Sequence, residues 1–257
     1  MDNEVILTGP EAGVATLRIH RPDARNALNQ NVRRLLAAHF TALGQDEETR
    51  CIVLTGGEQY FVAGADLRDL AECSAIDMHL RNVHLLWRAI AECPKPVIAA
   101  VNGYALGGGC ELAMHADIIV AGENASFGQP EIRVGIMPGA GGTQRLARAI
   151  GKFQAMKMLL TGLPISGKEA FSMGLASEVV EDGKVQERAA ELAKIIANMP
   201  PLAARQIKEV LLAGQDAPLD TALMLERKAF HLLFGSHDQR EGMRAFLEKR
   251  KPVYTGR

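Results

Sequence analysis

The chain lacks several features that would settle its chemistry at once. Its 257 residues contain only four cysteines, Cys51, Cys73, Cys93 and Cys110, widely spaced and with no CxxC pair. That spacing argues against a disulfide framework or a zinc site and leaves four reduced thiols. An excess of one charge is missing too: 29 Lys and Arg against 30 Asp and Glu give a formal net charge of −1. A near-neutral chain is a poor electrostatic binder of nucleic acid or of a membrane surface, so neither partner is expected. No apolar run approaches the ~18 residues that span a bilayer. The opening MDNEVILTGP is acidic and has neither a signal-peptide core nor a basic amphipathic transit segment. A cytoplasmic location is therefore expected. Low-complexity tracts and short-period repeats are also missing. What remains is ordinary soluble globular composition, 47% hydrophobic and 23% charged. It is long enough for one domain with a sizeable core, with or without an appendage.

Along the chain, short apolar runs alternate with helical patterns. VATLRIH (14–20), CIVLTG (51–56), KPVIAAVNG (95–103) and ADIIVAG (116–122) read as strands, and ASFGQPE (125–131) as a short strand or loop. RPDARNALN (21–29) is a polar turn, and Asn31 to Leu43 has helical spacing. A loop EQYFVAGADLRDL leads into a helical stretch reaching about Glu92. The alternation up to about residue 180 predicts an α/β core. Residues 184–198, 201–213, 218–234 and 238–250 read as four helices, broken at Pro200–Pro201, Gly214 to Pro218 and Gly235. The expected division is a core over 1–195 and a helical region over 196–257.

The glycine-rich turns GYALGGG (103–109) and PGAGGTQRL (138–146) fail three familiar tests. Neither has the GxGxxG spacing of a dinucleotide site, since Gln144 occupies the third glycine position of the second turn. Neither ends in GK[ST], and GxSxG is absent. A fourth reading stays open. A glycine turn at a helix start leaves N–H groups without intrahelical acceptors, where a developing oxyanion is stabilised. A plain strand-to-helix connection would look the same. Two carboxylates sharpen the choice: Glu111 lies in the first turn after Gly108, and Glu131 lies among Phe127, Pro130 and Ile132. Apolar surroundings raise a carboxylate pKa toward neutrality, as general acid/base chemistry requires. The plainer alternatives are a dipole-compensating acid at 111 and a salt bridge from 131 to Arg133 or Arg145.

These stretches, with the tail DQREGMRAFLEKRKP, resemble the enoyl-CoA hydratase/isomerase or crotonase family over nearly the whole chain. The similarity is strongest toward its short-chain enoyl-CoA hydratases and 2,3-dehydroadipyl-CoA hydratases. The resemblance implies a crotonase-like α/β spiral of repeated ββα units with a C-terminal helical trimerisation region, two trimers stacking as a homo-hexamer. It implies hydration of trans-2-enoyl-CoA in fatty-acid β-oxidation or aromatic-acid (phenylacetate) degradation. Isomerisation of the double bond, or a non-catalytic RNA-binding role, is the alternative. Glu111 and Glu131 would be catalytic, with an oxyanion hole from the N–H groups of Ala65 and Gly108. Ala63, Ala65, Asp66, Leu67, Arg68, Gly108, Phe230, Phe246 and Lys249 would contact coenzyme A or substrate, Lys249 in some relatives from a neighbouring subunit. For Arg68 a solvated helix charge, and for Phe230 and Phe246 simple core packing, remain alternatives. Coenzyme A would be part of the substrate, and no separate cofactor or metal is expected. Val62, where alanine is common in the family, and His115 are the small departures.

Overall fold

A computed structural model describes residues 4–257. The chain opens with strands β1 (Val5–Glu11) and β2 (Val14–Ile19), then helix α1 (Gln30–Gln45) and strand β3 (Cys51–Thr55). Helices α2 (Ala75–Leu80) and α3 (Val83–Ala91) precede β4 (Val97–Val101), β5 (Tyr104–Leu106), α4 (Gly108–Ala113), β6 (Ile118–Gly122) and β7 (Ser126–Gly128). Then come α5 (Gly142–Ile150), α6 (Lys152–Thr161), β8 (Ile165–Ser166), α7 (Gly167–Ser172) and β9 (Glu178–Val180). Four helices close the chain: α8 (Val185–Ala197), α9 (Pro201–Gln215), α10 (Leu219–Leu233) and α11 (His237–Leu247).

Two sheets form the scaffold. The larger has the order β1-β2-β3-β4-β6-β9, antiparallel between β1 and β2 and parallel elsewhere. The smaller is β5-β7-β8, with Val62 adding one more rung against Ala105 of β5. Successive turns of chain repeat one path. β3 leads through the Val62 rung to α2 and α3, β4 through β5 to α4, and β6 through β7 to α5. That repeat is the ββα spiral that the family resemblance implied, and it stacks the short strands and the helix starts beside one another.

The central strands are apolar on both faces because both faces are covered. On β3, Ile52 and Leu54 point into a core shared with Leu36 and Phe40 of α1, whereas Cys51 and Val53 point toward Val185, Ala189 and Ala193 of α8. This is the period-two split of a strand buried on both sides. Helix α1 is aimed by Asn29, whose side chain accepts from the Val32 N–H at 2.7 Å.

The structure differs from the sequence reading in places. The helical stretch expected to run to Glu92 is two helices, because Asn82 adopts φ +46° and breaks it. The strands β1 and β5 were not expected; β1 contains a Gly-Pro pair that reads as a turn, and β5 is only three residues long. At the other end, residue 195 lies inside α8, which packs on the sheet. Helices α9 and α10 have no buried residue and pack on each other, leaving Ile207, Leu211, Leu219, Phe230 and Leu232 exposed. The tail returns to the core: Arg50 donates to the Tyr254 carbonyl, and the Asp238 carboxylate accepts from the N–H groups of Thr255 and Gly256. Among the described residues no helix is long and apolar enough to cross a membrane.

Candidate active site

The site forms where the start of α4 meets the AGAD segment. Gly107 turns the chain from β5 into α4 with φ +52°, in the left-handed region that favours glycine. A Cβ there would come within 3.0 Å of Glu131 Oε1. Gly109 is needed for a second reason, since a Cβ would run into the Val62 carbonyl. These glycines let three backbone segments lie against one another. Ala65 is bridged to Leu28 in parallel register, and the bonds from Leu28 N–H to Gly64 and from Asp66 N–H to Leu28 flank it. The Ala65 N–H therefore faces the other way, toward Gly108, whose Cβ direction passes 3.7 Å from it. Neither the Ala65 nor the Gly108 N–H has an acceptor among the described residues. Two nearby N–H groups without acceptors, one of them at the start of α4, are an arrangement that can serve as a pocket for a negative oxygen.

The two carboxylates border this pocket and are held differently. Glu111 is buried on α4, and its Oε1 accepts from the Ala140 N–H at 2.7 Å and the Gly142 N–H at 2.8 Å. Both donors come from the PGAGG turn that begins α5. Burial raises the Glu111 pKa; the N–H groups of Gly142 and Ala140 and the charge of Arg33 pull it back. Among the described residues nothing donates to Oε2. Glu131 begins a short 3-10 turn, Glu131–Val134, just after β7. Burial pushes its pKa up to about 7, and the nearby Glu111 charge adds to the rise. With its amide nitrogen facing the carboxylate, buried Gln129 donates to Glu131 Oε1 at 3.0 Å and Oε2 at 3.2 Å. Among the described residues Glu131 has no ion pair, so the salt bridge considered for it is not formed.

Around the pair, His115 is stacked on Trp87 at 5.1 Å, and its Nδ1 lies 2.8 Å from the Glu111 carbonyl. Burial pushes its pKa down to about 4, so it is neutral near pH 7. The AGAD turn is fixed by Asp66, whose carboxylate accepts from Arg68 Nε and Nη2 at 3.1 Å each and from Arg21 Nη2 at 3.3 Å. In the same segment the Ala63 N–H donates to the Arg25 carbonyl, the Ala65 N–H has no acceptor among the described residues, and Leu67 and Arg68 are exposed.

Comparison with known proteins decides the family. The sequence matches the enoyl-CoA hydratase/isomerase family over residues 9–257. The chain belongs to that family. Among curated relatives, the 2,3-dehydroadipyl-CoA hydratase of Escherichia coli is 44% identical over 98% of this chain and 99% of its own. The short-chain-enoyl-CoA hydratase of Clostridium acetobutylicum is 42% identical over 97% and 96%. Among solved structures, an enoyl-CoA hydratase from Bacillus anthracis superposes with a TM-score of 0.95 at 36% identity, covering 99% of this chain and all of that one. A Geobacillus kaustophilus enoyl-CoA hydratase subunit gives 0.95 at 44% identity, covering 99% and 98%. The fold is thus the crotonase-like spiral of this family, with a helical C-terminal region.

Within this family member, the fold brings Glu111, Glu131, Ala65 and Gly108 together. Phe230 lies on α10, Phe246 on α11 and Lys249 in the turn just after α11, and all three are exposed within the single chain. Phe230 stands edge-on to Phe234 at 5.1 Å, and neither Phe230 nor Phe246 packs in the core. The sequence reading missed three contributors: the Ala140 and Gly142 N–H groups, the Gln129 amide, and Arg33 near Glu111. A signal existed for the first two. The PGAGG turn had no role once the nucleotide readings failed, and Gln129 is a polar residue two positions before Glu131.

Proposed function

We propose that the protein is an enoyl-CoA hydratase, adding water across the 2,3 double bond of a trans-2-enoyl-CoA to give the 3-hydroxyacyl-CoA. One observation carries the reading: two differently held carboxylates border a pair of unpartnered backbone N–H groups. The thioester oxygen would accept from Ala65 and Gly108, whose donors stabilise the enolate-like charge of the transition state. Glu111, anchored through Oε1, would act as the base, holding a water on Oε2 and taking its proton as the oxygen bonds the β-carbon. Glu131, with a pKa about 7, would be substantially protonated near neutrality and give its proton to the α-carbon. Exchange with solvent then returns the pair to its starting state. In D₂O the expected product is 3-hydroxyacyl-CoA with one deuterium at the α-carbon. Conversion of 3-enoyl-CoA to 2-enoyl-CoA far outpacing hydration would refute the reading.

The assembly belongs to the same proposal. Exposed apolar residues on α9 and α10 support a helical region that mediates a homo-hexamer, with Phe230, Phe246 and Lys249 reaching coenzyme A only in the assembled form. We place this enzyme in the cytoplasm, in the breakdown of fatty or aromatic acids such as phenylacetate. The Escherichia coli relative, named for a dehydroadipyl thioester, supports the second of these. Sedimentation tests the assembly: removing the residues after Gly235 deletes α11, which carries Asp238, and the tail that Arg50 holds to the core, and should give a smaller species with weaker thioester binding. A truncated chain that sediments like the full one would refute this part.

A further inference from the structure

Helix α4 carries Glu111 and the Gly108 N–H, yet it is only six residues long, Gly108–Ala113. It ends by tightening. The Met114 N–H bonds to the Cys110 carbonyl in the ordinary helical step, whereas the His115 N–H bonds to Leu112, three residues back instead of four. That step skips the carbonyl of Glu111 itself. No backbone N–H among the described residues donates to it. A buried carbonyl left without a donor is costly. Here the donor is a side chain: His115 Nδ1 lies 2.8 Å from the Glu111 carbonyl oxygen. A carbonyl only accepts, so Nδ1 carries the hydrogen. Burial, with the Arg145 charge nearby, keeps the ring neutral near pH 7, and Nδ1 donates in either charge state.

The ring is clamped in turn. His115 is buried and stacks on Trp87 of α3, ring centroids 5.1 Å apart and planes 29° apart. Trp87 shares a tight apolar wall with Leu28, Leu36 and Ile90. Leu28 is bridged to Ala65, and its Cδ1 lies 3.4 Å from the Cβ position of Gly108. One continuous wall therefore runs from the Glu111 backbone to both oxyanion donors. A leucine would fill position 115, between Met114 and Ala116, without the desolvation cost of an imidazole, so the N–H is what the histidine adds. The Glu111 carboxylate is pinned on its far side by Ala140 and Gly142. Its main chain is pinned by the Gly107 carbonyl, which accepts from the Glu111 N–H at 2.9 Å, and by His115. We propose that His115 is a positioning residue for hydration: through the Glu111 carbonyl it holds the base at a fixed distance from the Ala65 and Gly108 donors, so that a water on Glu111 stands against the β-carbon when the thioester oxygen is seated. His115 acts through Glu111 and not on the reacting atoms.

This rests on the hydratase reading, and the test separates the two. It compares His115→Asn with His115→Leu, side chains of one shape of which only Asn presents an N–H where Nδ1 stands. With trans-2-enoyl-CoA, His115→Asn should keep kcat within about threefold of wild type. His115→Leu should lose about 10- to 100-fold in kcat with KM little changed, the scale of a base misplaced by ~1 Å. A second reaction separates positioning from general damage. In D₂O, ionised Glu131 takes an α-proton from a saturated acyl-CoA while Ala65 and Gly108 hold the enolate, and a deuteron returns to the α-carbon; no water on Glu111 is needed. Mass spectrometry of the thioester reads this exchange, and His115→Leu should exchange as fast as the wild type. Loss of exchange together with hydration would show that His115 only supports the fold, and would overturn the inference. So would wild-type kcat in His115→Leu, or equal losses in the Asn and Leu variants. If His115→Leu does not fold, His115→Phe, which keeps the stack on Trp87 and lacks the donor, takes its place with the same expectations. A wild type that exchanges the α-proton but hydrates no enoyl-CoA would refute the hydratase reading, and this inference with it.

Discussion

Glu111 and Glu131 are the same residue type on two sides of one pocket, yet their surroundings pull them apart. Glu111 is the more enclosed, but two backbone N–H groups from the PGAGG turn and a nearby guanidinium favour its ionised form. Glu131 is the more open; the neutral Gln129 amide and its own backbone N–H are its donors, and the Glu111 charge opposes its ionisation. Burial raises both pKa values, but at Glu111 backbone donors and the Arg33 charge oppose the rise, whereas at Glu131 the Glu111 charge adds to it. In the proposed mechanism the donors aimed at each carboxylate distinguish the base, Glu111, from the acid, Glu131.

The strongest way to break that division of roles is to remove each carboxylate in turn. Glu111→Gln keeps an amide oxygen that can accept from Ala140 and Gly142, so it should fold, and hydration should fall by roughly 10²–10⁴-fold. Glu131→Gln should cost a similar factor and should impair α-deuteration and water addition together. Steady-state rates with the same enoyl-CoA check both. Wild-type kcat in either variant would remove that residue from the chemistry.

A smaller effect sharpens the comparison through pH. The acid must be protonated and the base ionised, so kcat/KM should be bell-shaped, with its alkaline limb falling above about pH 7. The limbs belong to the coupled pair rather than to single residues. Gln129→Leu removes a donor that favours ionised Glu131. Its alkaline limb should therefore move up, by about one pH unit for the loss of one hydrogen bond to a charged group. A pH profile with an unmoved alkaline limb would show that Gln129 does not tune Glu131.

Much of this pair was legible in the sequence, and the rest was not, for physical reasons. Strands β3, β4 and β6 announced themselves as apolar runs because both of their faces are buried. Strand β5 is three residues long, too short for any period to show. Glu111 and Glu131 stood out as acids in apolar turns. What holds them comes from contacts distant in sequence: the Ala140 and Gly142 donors lie 29 and 31 residues beyond Glu111. No spacing rule reaches that far. Arg33 was hidden for another reason. Beside Arg34 it reads as part of a solvated helix face, and only the packing of α1 against α3 turns it inward.

The smallest effect is on stability, and its sign follows from the raised pKa of Glu131. Unfolded, this carboxyl titrates near 4.5; folded, near 7. Between those values the unfolded chain ionises first, so stability is fully present below the lower value and declines as pH rises through the upper one. The ionised form is what the folded site disfavours, and Glu131→Gln removes it. The variant should therefore match the wild type at pH 4 and exceed it at pH 8, by about 1–2 kcal/mol once screening of a half-exposed group is allowed for. Urea unfolding at the two pH values reads the difference. The same protocol on Glu111→Gln makes the contrast, because the donors that offset burial at Glu111 should leave a smaller pH-dependent gain. Equal gains at pH 8 would mean that burial, and not the arrangement of donors, sets the two carboxylates apart from solvent.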